Sequence, residues 1–174
     1  IDFHMDRASI RPIHDARDAI RLTALLRRLR LDATFTYFIK PAIYGTIAAR
    51  LAGIRQRYVL VEGAGYLFSE AGSRRTPLRI RLLRVITRWM YRIALRRADT
   101  VFFLNTDDMD MFMSQHIAAP AQSVLLGGIG VELDRFTPAK PVQAPVTFIM
   151  VARLLIPKGI CEYAEAARRL RREY

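Results

Sequence analysis

Arg153, Lys158 and Gly159 are the residues whose types and spacing point most directly to chemistry. The apolar run Val146–Val151 leads into an arginine, five residues before a lysine and a glycine, and then an amphipathic helix pattern begins. Two cations and a free helix N-terminus at the carboxyl end of a strand are what an open α/β sheet uses to hold a phosphorylated ligand. A diphosphate leaving group gathers negative charge as its bond to a sugar breaks, and fixed cations with helix N–H groups stabilise that charge. Arginine grips phosphate oxygens in a fork, and lysine supplies a compact point charge. The spacing alone is equally compatible with a strand-end arginine and a solvated lysine.

The elements that must position this motif follow from periodicity. Residues 15–31 read as a helix with Leu22, Leu25, Leu26 and Leu29 on one face, acids at its start and arginines at its end. Thr34–Ile39 reads as a strand, and Pro41 opens a helix that runs to about Gly53. Tyr58–Val61 is the next predicted strand, 77–97 a long arginine-rich helix, Thr100–Leu104 a strand, 107–116 a short helix and Ser123–Leu126 a strand. Strands alternating with helices imply right-handed βαβ units and a parallel sheet with helices on both faces. Residues 127–145, with three glycines and three prolines, read as a linker region. A new strand and a helix over 159–172 come after it.

The charge is lopsided. The chain carries 28 Lys and Arg against 16 Asp and Glu, and residues 1–98 alone hold an excess of 13 positive charges. Such a surface suits an anionic partner: phospholipid, nucleic acid or a phosphorylated substrate. In the helix 77–97, Arg81, Arg84, Arg88 and Arg92 form a row beside Leu82, Leu83, Ile86, Trp89, Met90 and Ile93. Arginines flanking an apolar face with a tryptophan fit a helix lying on an anionic membrane. They fit equally a solvated arginine face over a stripe that covers the sheet.

Other motifs carry less. Gly63-Ala64-Gly65 lacks the third glycine of a dinucleotide fingerprint, and Gly127-Gly128-Ile129-Gly130 does not open a helix, so both read as turns. Asp107-Asp108-Met109-Asp110 sits where carboxylates cap a helix start. His4, His14 and His116 have no nucleophile at convincing spacing, and the single cysteine, Cys161, forms no internal disulfide. No metal site is expected. The cysteine usage suits a reducing, cytoplasmic compartment.

Six segments in order resemble bacterial family 4 glycosyltransferases of the two-domain GT-B architecture, similar to enzymes that build O-antigen, capsule and other lipid-linked glycans. They are Arg11–Asp15, Tyr37–Gly45, Glu62–Phe68, Phe102–Asp108, Gly128–Pro138 and Ala152–Ile160. The resemblance implies an incomplete GT-B. Residues 1–137 would be the latter part of an acceptor-binding Rossmann-like domain, 138–145 a linker, and 146–174 the first strand and helix of a nucleotide-sugar domain. It implies that Arg153, Lys158 and Gly159 contact the donor diphosphate, and that Lys40, Glu62, Gly63 and Gly65 line the acceptor side. A glycine-rich loop before Ile1 and a glutamate pair after Tyr174 are expected in the parent protein, so the 174-residue piece is expected to be inactive alone.

The implied reaction is retaining and metal-independent, with no cofactor beyond the nucleotide-diphosphate sugar. It would move a hexose-type sugar to a lipid-linked or glycan acceptor, peripheral to the inner face of the cytoplasmic membrane. Glu62, where a threonine is common, and Gly127-Gly128, where Pro-Gly is more frequent, depart from the family pattern. The competing reading is a non-enzymatic basic module for nucleic acid or anionic membrane, and it has no helix-turn-helix, RNA-recognition or zinc signature. The apolar segment 146–151 without its sheet partners is expected to seek another chain, as in an intertwined dimer.

Overall fold

A computed structural model describes residues 3, 12–63, 78–140 and 145–173. The chain divides into two compact units, Ile1–Gly130 and Val131–Tyr174. The division thus falls upstream of the expected linker at 138–145.

The first unit is α/β. Helix α1 (Pro12–Leu29) precedes strand β1 (Ala33–Tyr37), and a π-helical turn (Pro41–Gly45) runs directly into α2 (Thr46–Leu51). Then come β2 (Gln56–Val61), α3 (Leu78–Leu95), β3 (Thr100–Phe103), α4 (Thr106–Ser114) and β4 (Ser123–Leu125). The four strands pair in parallel in the order β1-β2-β3-β4. The Rossmann-like parallel sheet with flanking helices is therefore as expected, and β-rich residues such as Val59, Val61, Val101 and Phe103 form its spine.

The core lies where helices meet that spine. Val59, Val61, Val101 and Phe103 pack with Ala42, Ile43, Tyr91, Ala94, Leu95, Phe112 and Ile117. Phe112 meets Tyr91 and Phe103 edge-on, each pair of centroids 5.5 Å apart, the geometry that aromatic quadrupoles favour. Burial pushes the Tyr91 phenol above its ordinary range. A second cluster joins α1 to α2 through Leu26, Ala48, Ala49 and Ile54. The other sheet face carries Phe35, Tyr58 and Phe102 in loose ring contact, with Phe35 more than half exposed.

The structure separates the two open readings of α3 and corrects one expected helix start. Leu82, Ile86 and Trp89 are exposed and do not cover the sheet. Thr87, Tyr91, Ala94 and Leu95 turn inward instead, because a stripe with small and aromatic residues at helical spacing packs close to the strands. The helix predicted from Pro41 begins as a π-helical turn. Phe38 before it has φ 66°, a left-handed backbone that hydrophobic periodicity does not report.

In the second unit, helix α5 (Ile160–Glu173) forms as predicted. The strand expected over Val146–Val151 is not formed: the run is irregular and pairs with no strand among the described residues. An extended segment becomes a strand only when a neighbour supplies ladder bonds. Here the Tyr163 hydroxyl donates to the Phe148 carbonyl at 2.9 Å and ties the segment to α5.

Candidate functional site

The phosphate motif sits on the approach to α5. Ile156–Lys158 is a single 3₁₀ turn, in which the Lys158 N–H donates to the Leu155 carbonyl at 2.9 Å and the Gly159 N–H to Ile156 at 3.0 Å. Gly159 then takes φ 78°, a left-handed conformation open to glycine at little cost. That reversal lets α5 start at once, with the Tyr163 N–H donating to the Gly159 carbonyl at 2.9 Å as its first helical bond. The N–H groups of the first turn consequently have no intrahelical acceptor. Arg153 and Lys158 are both exposed, and among the described residues neither is paired with a carboxylate. Glu162 stands in the first turn, its carboxylate 3.9 Å from where a Gly159 side chain would begin. Two exposed cations and a helix start whose first N–H groups lack intrahelical acceptors thus lie within one short stretch of chain.

At the carboxyl edge of the sheet in the first unit, the expected acceptor residues have specific surroundings. The Lys40 ammonium donates to the Asp15 carboxylate at 2.7 Å, and both side chains are largely buried. Tyr44, in the π-helical turn, has its phenol held above the ordinary range by burial, then by the Asp15 charge and a hydrogen bond to Asp15. One buried carboxylate thus binds an ammonium and a phenol and locks the end of β1 to α1. Lys40 therefore anchors this edge.

Glu62 and Gly63 end β2 and are half-buried. Gly63 has φ 154°, and a side chain there would start 3.8 Å from an Asp108 oxygen at the head of α4, an ordinary contact distance. Gly65 lies outside the described residues.

Asp107 and Asp108 of the acidic cluster lie in the first turn of α4. The residue at the cap position is Asn105, whose Oδ1 accepts from the Asp108 N–H and whose Nδ2 donates to the Asp108 carboxylate, both at 2.8 Å. No group of His, Cys, Asp and Glu suited to a metal occurs among the described residues.

The arginine row of α3 does not share one environment. Arg81 is exposed, whereas Arg84, Arg88 and Arg92 are half-buried. Arg92 donates to the carbonyls of Gln115 and His116, closing the end of α4. Leu78, Leu82, Val85, Ile86 and Trp89 line the exposed side. The tertiary roles of Asp15, Tyr44, Asn105 and Arg92 were missed from sequence. Only Asn105, three residues before an acid at a helix start, carries a local signal.

No protein-family model matches the chain. It is similar to the N,N'-diacetylbacillosaminyl-diphospho-undecaprenol alpha-1,3-N-acetylgalactosaminyltransferase of Campylobacter jejuni subsp. jejuni serotype O:2, at 25% identity over 98% of this chain and 47% of that enzyme. It is also similar to the UDP-Gal:alpha-D-GlcNAc-diphosphoundecaprenol alpha-1,3-galactosyltransferase of Escherichia coli, at 26% identity over 90% of this chain and 41% of that enzyme. The chain spans about half the length of these curated relatives. The resemblance drawn from the six segments is thereby supported, since both relatives are bacterial glycosyltransferases with lipid-linked acceptors.

Proposed function

We propose that the protein carrying this chain is a retaining, metal-independent glycosyltransferase. It moves a hexose-type sugar from a nucleotide-diphosphate donor to an undecaprenyl-diphosphate-linked acceptor. The observation that carries this reading is the similarity, along 98% of the chain, to an enzyme named for such an acceptor. Arg153, Lys158 and the α5 start receive the donor diphosphate, where leaving-group charge grows as the glycosidic bond breaks. No cofactor is needed beyond the donor itself. No helix among the described residues is long and apolar enough to cross a membrane. Contact with the bilayer is assigned to the exposed side of α3, where Leu82, Val85, Ile86 and Trp89 enter the interface and Arg81 meets anionic headgroups. The exposed segment Val146–Val151 pairs with a second copy when the 174-residue chain is isolated.

Steady-state kinetics of the complete protein with saturating donor test the central claim. Arg153→Ala and Lys158→Ala should each lower kcat by roughly 10²–10³, the scale of losing one preorganised electrostatic contact. Lys158→Arg should rescue poorly, because a planar fork does not replace a compact ammonium. A kcat near wild type in both alanine variants would show these residues to be structural.

A further inference from the structure

The topology gathers a second set of cations at the opposite edge of the sheet. Helices α2 and α3 run antiparallel to the strands they connect, so both end at the amino edge, beside the starts of β2 and β3. There a cleft of about 750 Å³ is lined by Arg50, Arg55, Arg57, Arg96 and Arg97.

Two of these arginines already have structural work. Arg57 pairs with Asp99 at 3.0 Å and donates to the carbonyls of Ile54 and Arg97, and its own backbone N–H reaches Asp99 at 2.9 Å. Arg97 donates to the Ile93 carbonyl at 2.6 Å. The remaining three, Arg50, Arg55 and Arg96, are exposed, and among the described residues no carboxylate pairs with them.

Cations at helix C-termini are ordinary, because the helix dipole favours them. Each helix end supplies only about half a negative charge. Two helix ends and Asp99 thus offset roughly two of five guanidinium charges, and a surplus of about three remains around one cleft. Mutual repulsion there is relieved by a multiply charged anion. Planar guanidinium forks match the oxygens of phosphoryl groups better than they match a monovalent halide.

We propose that this amino-edge cleft is a binding site for an anion bearing at least two phosphoryl negative charges, held by Arg50, Arg55 and Arg96 with Arg57 and Arg97 as its floor. The inference rests on the cleft alone and does not depend on the glycosyltransferase reading.

Calorimetric titration of the 174-residue chain with inorganic tripolyphosphate at low salt tests it, beside co-sedimentation with phosphatidylglycerol and phosphatidylcholine vesicles. The triple variant Arg50→Ala/Arg55→Ala/Arg96→Ala removes the three unengaged forks. The control Arg17→Ala/Arg171→Ala/Arg172→Ala removes the same charge from exposed positions elsewhere. Tripolyphosphate should bind at one site per chain, and the cleft variant should weaken it roughly tenfold or more, as charge-assisted hydrogen bonds to a bound anion predict. The control should weaken it only slightly.

If phosphatidylglycerol vesicles show that pattern and tripolyphosphate does not, the site takes singly charged headgroups and the proposal of a multiply charged anion is overturned. Equal losses in the two triple variants would reduce the effect to net charge and overturn the proposal, as would no binding to either probe. Should the cleft variant fold poorly, the Arg→Lys version at the same three positions keeps the charge and removes the forks. Tripolyphosphate binding several-fold weaker than wild type is then expected, and unchanged binding would count against the site.

Discussion

Two apolar segments of this chain, Gln56–Val61 and Val146–Val151, are both rich in β-forming residues and meet opposite fates. In β2, Val59 and Val61 are 0% and 2% exposed. Val59 sits in register with Thr36 on one side and Val101 on the other, and Val61 with Phe103. In the later segment, Val146, Ile149 and Val151 are 74%, 82% and 90% exposed, with one side-chain hydrogen bond at Phe148 for support. The later segment is the more apolar of the two, so the difference lies in the neighbours. Ladder bonds satisfy the backbone of β2, and the helices α2, α3 and α4 bury its valines.

The largest effect that sharpens this contrast is expected at the covering helix. Phe112→Ala removes a fully buried ring between Tyr91 and Phe103 and should destabilise the first unit by about 3–5 kcal/mol. Urea denaturation followed by far-ultraviolet circular dichroism measures it, and a loss below about 1 kcal/mol would mean the sheet is not held by that helix.

Next in size is the buried ion pair. Lys40→Met leaves the Asp15 carboxylate buried beside Tyr44 and should cost about 3 kcal/mol. Adding Asp15→Asn should recover most of it, since the uncompensated charge is gone. A double variant as unstable as the single one would shift the cause to lost packing.

The smallest effect belongs to the exposed segment. Ile149→Ser should change the unfolding free energy of dilute chain by less than about 0.5 kcal/mol. At high concentration the same change should shift light-scattering mass from dimer towards monomer. A loss above about 1 kcal/mol in the dilute chain would break the comparison, because it would show Ile149 buried within one molecule.

Element identity was largely legible because hydrophobic period reports which face a residue shares. The helix at 12–29, the strands at 100–103 and 123–125 and the helix at 160–173 lie within a few residues of their predicted positions. The turn at Ile156–Lys158 and the start of α5 were legible for a similar reason, since Lys158, Gly159 and Ile160 are sequence neighbours whose geometry is local. The orientation of α3 was not. Two apolar stripes compete on that helix, and the one with Tyr91, Ala94 and Leu95 is buried because the strands accept its shape, while Trp89 is left outside.

What the sequence by itself determined is therefore most of the helices and strands and the parallel pairing in the first unit, because hydrophobic period and turn residues act over short stretches of chain. The tertiary structure alone decided that Lys40 meets Asp15 across 25 residues, and that Arg92 turns in to the end of α4. It alone decided that arginines from two helix ends share one cleft. Those outcomes depend on which elements the sheet brings side by side. A charged side chain carries no local pattern that distinguishes a buried partner from water, so its role appears only once the neighbouring element is in place.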